Sequence, residues 1–165
     1  MKNYILTEGV AEKKLRRMAY EILENNAGER RLILAGIRGS GSVIARNIQR
    51  LLQEIAGEQL STELITITLD KKHPGAVTLD RSLAFDDQVI IVVDDVANSG
   101  KTLLYAIKPF LDFHPRKIES LVLVERTHKA FPVQPDYKGL SLSTTLQEHI
   151  YVEVEDDRVK GAWLE

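Results

Sequence analysis

Residues 89–102 read Val-Ile-Ile-Val-Val-Asp-Asp-Val-Ala-Asn-Ser-Gly-Lys-Thr, and this stretch decides the fold. Its first five residues are apolar and β-branched, which is typical of a strand buried on both faces of a parallel sheet. Two acids, Asp94 and Asp95, follow at once, and a loop of small polar residues then opens a helix. The order strand, loop, helix predicts an α/β fold, in which ligands bind outside the carboxyl ends of the strands.

The rest of the chain repeats the alternation of helix and strand. Apolar residues at three- and four-residue steps predict helices, and β-branched or continuous apolar runs predict strands. We therefore expect one domain over residues 1–165, with a mainly parallel central sheet flanked by helices. The predicted helices are 8–26, 43–55 and 103–111, and the predicted strands are 31–36, 64–69, 89–93, 118–124 and 150–154.

Composition excludes several classes of function. The 165 residues carry a formal net charge of −2, which argues against a dedicated nucleic-acid binder. The chain has no cysteine, so thiol nucleophiles, disulfides and cysteine-ligated metals are excluded. No signal peptide is recognisable and the longest apolar runs have only strand length, so we expect a soluble, cytoplasmic protein.

The loop after the acids has the features of a phosphate site. The backbone amides of residues 97–102 can cradle an anion at a helix N-terminus, and Gly100 allows close approach of the backbone. Two carboxylates beside a phosphate would repel it unless ribose hydroxyls or Mg²⁺ intervene. The expected ligand is therefore a sugar phosphate carrying a diphosphate and Mg²⁺. The alternative is an acidic turn in which one aspartate caps the helix, but two adjacent acids favour the functional interpretation.

Three segments resemble the type I phosphoribosyltransferases. Val92–Thr102 resembles their signature for phosphoribosyl diphosphate (PRPP), and Ala35–Gly41 is similar to their pyrophosphate loop. Leu123–Lys129, followed by Pro135–Gly139, is similar to their base-side segment. Within this superfamily the chain most resembles the pyrimidine operon attenuation regulators that double as uracil phosphoribosyltransferases, up to about Asp156.

The resemblance implies the type I phosphoribosyltransferase fold with a small base-binding hood, Mg²⁺ as cofactor, PRPP and a nucleobase as substrates, and a homo-oligomer. It implies that Asp94 and Asp95 hold the ribose hydroxyls and contact Mg²⁺ through water. Lys71 is a candidate catalytic residue because the flexible loop belongs between Leu69 and Asp94, and Arg126 is a base-side candidate. The PRPP-binding candidates also include Ala97, Asn98, Ser99, Gly100, Lys101 and Thr102, and the pyrophosphate-loop candidates are Arg38, Gly39, Ser40 and Gly41.

Departures from the family pattern bear on the substrate. Asn98 replaces an acid of several purine enzymes, and an amide cannot act as a base. Glu125 stands where purine salvage enzymes carry a lysine, which speaks against a 6-oxopurine. Ser40 replaces an arginine of the regulators, and the segment between Leu69 and Asp94 is short, with Lys71, Lys72 and Arg81 available to it.

The main prediction is a phosphoribosyltransferase acting on a nucleobase, with uracil favoured. Two alternatives remain, a PRPP- or nucleotide-sensing RNA-binding regulator with weak or no catalysis, and a purine salvage transferase. The basic cluster 13–17 on the first helix can contact RNA, but a solvated helix face is the favoured interpretation.

Overall fold

The computed structural model describes residues 1–165 as two sheets with helices packed against the larger one. The larger sheet has six strands and the smaller has three. The strands are β1 Asn3–Thr7, β2 Arg31–Ile37, β3 Ser61–Thr68, β4 Thr78–Leu79, β5 Val89–Ala97, β6 Lys117–Arg126, β7 Tyr137–Leu142, β8 Ile150–Glu155 and β9 Arg158–Leu164. The helices are α1 Glu8–Asn25, α2 Ser40–Ala56 and α3 Lys101–Ala106, with short 3-10 helices at Gly57–Gln59 and Lys108–Phe110.

Strand β5 lies inside the six-stranded sheet, whose order is β4-β3-β2-β5-β6-β7. It pairs in parallel with β2 on one side and β6 on the other, and only β4 runs antiparallel. Residues 89–93 are buried on both faces, which explains their unbroken apolar character. One face packs under α1 and α2, and the other packs under α3. The carboxyl ends of β2, β3, β5 and β6 therefore meet at one edge.

The small antiparallel sheet, in the order β1-β9-β8, stands beside this edge. On its outer side Tyr151 stacks on Trp163 with ring centroids 4.4 Å apart. On its inner side Ile150 reaches the cavity at the carboxyl edge. This sheet has the place of the hood that the family resemblance implies.

A glycine in β2 lets α2 lie close to the sheet. A Cβ atom on Gly36 would come 2.9 Å from the Cα of Ser42 and 2.9 Å from the Cβ of Ala45. Both distances are shorter than van der Waals contact, so only glycine fits without a shift of the helix. Gly36 thereby sets where the first turn of α2 stands relative to β5.

The predicted fold class is confirmed, but several element boundaries differ. Strand β5 continues through Asp94 and Asp95 to Ala97. The predicted helix 103–111 is wrong in length, because Pro109 cannot continue an α-helix and Leu111 is 68% exposed. Strands β1, β4, β7 and β9 are absent from the predicted set. No helix is long and apolar enough to cross a membrane.

We predict that Gly36→Ala lowers the free energy of unfolding by about 1–3 kcal/mol, because the added methyl group overpacks the contact with α2. Urea denaturation measures the change. Gly9→Ala is the matched control, since a Cβ at this position of α1 meets nothing within 4 Å. Equal urea midpoints for G36A and the wild type would contradict the prediction.

Candidate active site

A cavity of about 200 Å³ lies at the carboxyl edge of the sheet. The acidic end of β5 and the loop that follows form most of its wall, Lys71 closes it from the loop after β3, and Ile150 closes it from the small sheet. The structure thus brings together Lys71, Asp95 and every candidate of the segment 97–102. Sequence reasoning missed Ile150, because only the tertiary structure brings β8 to this edge. The lining residues are Lys71, Asp95, Val96, Ala97, Asn98, Ser99, Gly100, Lys101, Thr102, Leu103 and Ile150.

Asp94 and Asp95 share one cation, the ammonium group of Lys71. The Lys71 Nζ lies 3.2 Å and 3.3 Å from the two carboxylate oxygens of Asp94 and 3.7 Å from Oδ1 of Asp95. Asp94 is 1% exposed, and its Oδ1 also accepts a hydrogen bond from the Asp95 amide at 2.9 Å. Two carboxyl groups against one ammonium suit a ligand that brings hydroxyl groups and a further cation.

Burial is the largest single influence on the pKa values of Asp94 and Lys71. Burial and then repulsion from Asp95 raise the pKa of Asp94 to about 7, and attraction to Lys71 offsets only part of the rise. For Lys71, burial works to lower the pKa, but the two carboxylates outweigh it and raise the pKa above its usual value. The site therefore holds a carboxyl that is costly to ionise without a further cation.

The loop Ala97–Thr102, here called the phosphate loop, turns from β5 into α3. Gly100 has φ +89°, a left-handed conformation that favours glycine, and it directly precedes the helix. The Ser99 hydroxyl accepts a hydrogen bond from the Lys101 amide at 3.2 Å. Helix α3 has only six residues, so the remaining amides of the loop, more than a helix dipole, are the candidate anion-binding groups.

The first turn of α2 faces the same acids. A Cβ atom on Gly41 would lie 2.8 Å from the carbonyl oxygen of Val93 and 3.1 Å from Oδ1 of Asp94, so glycine is required for this approach. Gly39 has φ +101° and α2 has no side-chain cap, which leaves its first amides without intrahelical partners. Arg38 is exposed just before them. Of the candidates Arg38–Gly41, Gly41 is the one that the structure places against Asp94, and Arg38–Ser40 lead into it; their role as an anion site stays a prediction.

A second cavity, of about 300 Å³, adjoins the first through Asn98 and Ser99. Arg126 lines it, and the Arg126 guanidinium donates to the carbonyl oxygen of Thr145 at 2.7 Å. His128 also lines it; this histidine lies in the base-side segment Leu123–Lys129 but was not singled out as a candidate. The cavity is otherwise lined by Ala130, Thr144 and Leu146.

Glu125 lies at the end of β6, where both its oxygens have partners. Its Oε1 is 2.6 Å from the Lys129 Nζ, and its Oε2 is 2.8 Å from the Ser141 hydroxyl and 3.1 Å from the Lys138 Nζ. Burial alone would raise the pKa of Glu125, but these hydrogen bonds outweigh it and lower the pKa below the usual value. Glu125 is therefore an ionised residue whose acceptors are already used.

Several other basic side chains considered in the sequence analysis form ion pairs away from the cavity. Arg81 lies 2.9 Å from the Glu63 carboxylate, away from the cavity. In the basic cluster of α1, Arg16 is 3.2 Å from Glu54 and Arg17 pairs with Glu21. These pairs support the interpretation of that cluster as a solvated helix face.

We predict that Asp94→Asn removes a pH-dependent cost of folding. Because folding raises the pKa of Asp94 from 3.8 to about 7, the folded protein binds this proton more tightly than the unfolded chain does. The resulting stabilisation of the fold is full below pH 3.8 and is lost as pH rises through about 7. Relative to D94N, the wild type should lose on the order of 2–4 kcal/mol of unfolding free energy between about pH 4 and about pH 8. Urea denaturation across this range measures the difference.

The control for this prediction is Asp112→Asn, which changes an exposed aspartate and should follow the wild type at every pH. A constant difference between D94N and the wild type over the whole range would contradict the assigned ionisation of Asp94.

The chain is similar to known proteins over most of its length. The family model described as "Phosphoribosyl transferase domain" matches residues 3–157. The bifunctional protein PyrR of Staphylococcus carnosus is 32% identical over 166 residues, covering 96% of this chain and 95% of the relative. PyrR of Ligilactobacillus salivarius is 33% identical over 155 residues, covering 88% of this chain and 87% of the relative.

Solved structures share the fold at lower identity. The hypoxanthine phosphoribosyltransferase of Trypanosoma cruzi superposes with a TM-score of 0.81 at 13% identity, covering 99% of this chain and 96% of that one. A hypoxanthine-guanine phosphoribosyltransferase from Bacillus anthracis gives a TM-score of 0.72 at 19% identity, covering 86% of this chain and 83% of that one. With nearly all its length matched by the family model and by relatives above 30% identity, the chain belongs to the phosphoribosyl transferase domain family.

Proposed function

We propose that the protein transfers the 5-phosphoribosyl group of PRPP to uracil and releases uridine monophosphate and pyrophosphate. The observation that carries the proposal is a cavity at the carboxyl edge lined by Asp95, Lys71 and the phosphate loop, with the buried Asp94 held against the same lysine. Carboxylates can accept hydrogen bonds from the ribose hydroxyls, while the amides bind the 5-phosphate. A phosphorylated ribose carries both the hydroxyl groups and the phosphate that these protein groups would bind.

The position of α2 supports the choice of a diphosphate at the anomeric carbon. Gly41 brings the first turn of α2, whose first amides lack a side-chain cap, beside Asp94. Donors placed there favour the charge that develops on departing pyrophosphate. Lys71 supplies a positive charge next to the same acids, and we assign it the role of stabilising that charge.

The acids fit the magnesium ion that the family generally uses. Mg²⁺ takes one or two carboxylates and completes its shell with water and phosphate oxygens. The structure offers this donor set in Asp94 and Asp95 and has no group of three acidic or histidine side chains that could hold a metal alone. A bound Mg²⁺ would supply charge neutralisation at the diphosphate. In the structure itself, the Lys71 ammonium is the cation that lies beside both acids.

The identity of the base rests on two observations. The relatives named bifunctional protein PyrR and the resemblance to pyrimidine attenuation regulators favour uracil over a purine. Glu125 supports this choice, because a carboxylate that accepts from Lys129, Lys138 and Ser141 cannot donate a hydrogen bond to a 6-oxopurine. The second cavity, beside Asn98 and Arg126, is the place proposed for the base.

The first test is release of pyrophosphate from PRPP with Mg²⁺, offering uracil, hypoxanthine, guanine, xanthine and adenine in turn. We expect release with uracil. The double variant Asp94→Asn/Asp95→Asn should weaken PRPP binding by about tenfold or more, because it removes both charged acceptors while keeping their size. Release with a purine alone would overturn the uracil assignment, and PRPP binding without release for any base would overturn the catalytic one.

A second test concerns Lys71. Replacing it by methionine removes the charge that we assign to the departing pyrophosphate, so kcat/KM for PRPP should fall by about tenfold to a hundredfold. Steady-state kinetics measure the loss. Lys71→Arg keeps the charge and should retain more activity than K71M. Equal activity of K71M and the wild type would exclude Lys71 from the chemistry.

A further inference from the structure

The segment Thr127–Val133, here called the brace segment, lies directly behind the phosphate loop. The carbonyl oxygen of Ser99 accepts hydrogen bonds from two of its amides, Ala130 N and Phe131 N, each at 3.0 Å. The carbonyl oxygens of Phe131 and Val133 also lie 3.3 Å and 3.2 Å from where a Cβ on Gly100 would stand. The back of the phosphate loop is therefore packed backbone against backbone on this segment.

These hydrogen bonds fix the direction of one peptide group. The carbonyl and amide of a trans peptide point in opposite directions, and the chain has no cis peptide. Because the Ser99 carbonyl is held at the back by two donors, the Gly100 amide is directed to the opposite side, toward the cavity that Gly100 lines. The brace segment thus orients a donor of the proposed 5-phosphate site.

A buried ion pair holds the brace segment in place. The Lys129 side chain is only 9% exposed, and its Nζ donates to Glu125 Oε1 at 2.6 Å and to the Arg126 carbonyl at 2.7 Å. Its Cδ lies 3.7 Å from the position of a Cβ on Gly100. Glu125 belongs to β6, so the pair ties the segment directly to the central sheet.

We propose that Glu125 and Lys129 are positioning residues for the phosphate loop. They act through the Ala130 and Phe131 amides on the Ser99 carbonyl, and so on the Gly100 amide, without touching the ligand. A buried pair costs desolvation and is weak evidence for stability alone, whereas it fixes geometry well when its hydrogen bonds are complete. The inference rests on the proposed function, because it assigns the 5-phosphate to the phosphate loop.

The test is Lys129→Met, which keeps much of the apolar stem and removes the ammonium. Binding of ribose 5-phosphate, followed by calorimetry, should weaken by about tenfold. KM for PRPP should rise more than kcat falls. The Gly100 amide, observed by NMR in the ligand-free protein, should shift, and the Ala130 and Phe131 amides that donate to the Ser99 carbonyl should exchange faster with solvent.

Two other variants separate positioning from general stability. Lys138→Met removes a partner of the same Glu125 carboxylate, but Lys138 lies on β7 with its side chain 49% exposed and carries no part of the brace. K138M should therefore bind ribose 5-phosphate as the wild type does. Glu125→Gln keeps the shape of the acid and serves as the second disrupting variant if K129M does not fold. Lys129→Arg should restore part of the lost affinity.

The outcomes are distinct. Unchanged ribose 5-phosphate affinity and an unchanged Gly100 amide in K129M or E125Q would overturn the positioning role. An effect of equal size in K138M would also overturn it, since the loss would then reflect any damage around Glu125. If the wild type bound neither ribose 5-phosphate nor PRPP, the proposed function would fail, and the Gly100 amide would still report whether the pair orients the loop.

Discussion

The burial of one ionisable group, Asp94, constrains the rest of the site. Its carboxyl lies at the carboxyl end of the central strand with 1% of the residue exposed. Such a group is tolerated only with close partners, and three elements supply them. The Asp95 amide comes from the strand itself, the Lys71 ammonium from the loop after β3, and Gly41 brings α2 against the acid. The loop after β3 and the first turn of α2 therefore both lie against Asp94.

This constraint leaves a defined electrostatic pattern. Two carboxyl groups face one ammonium at Asp94, while the phosphate loop and the first turn of α2 supply amide donors close to them. The carboxyl groups disfavour a ligand that is only an anion, and the amides disfavour one that is only a cation. A ligand with hydroxyl groups in the middle and phosphates at its ends matches the pattern. The arrangement therefore supports the proposed phosphorylated ribose on grounds that do not depend on the family match.

The sequence predicted the parts of the site that depend on short-range order. The run 89–102 is contiguous, so its strand, its acids and its loop could be located from periodicity and residue type alone. Four strands were missed for physical reasons. Residues 137–142 alternate weakly and include Gly139, and β4 has only two residues. Strand β1 depends on pairing with β9 across the length of the chain, and β9 pairs with both β1 and the neighbouring β8. Ile150 and His128 were missed likewise, because their places depend on long-range packing.

Glu125 shows how the chemistry of one position can be misjudged when it is considered alone. Its residue type indicates that no lysine is available there for a purine oxygen, and this suggests a role in choosing the base. The structure shows that both carboxylate oxygens are already engaged by Lys129, Ser141 and Lys138. An acceptor that is fully used has little left for a ligand, so its influence must pass through what it holds. Glu125 holds the segment behind Ser99 and does not line the second cavity, so Arg126 and His128, which do line it, are better candidates for contact with a base.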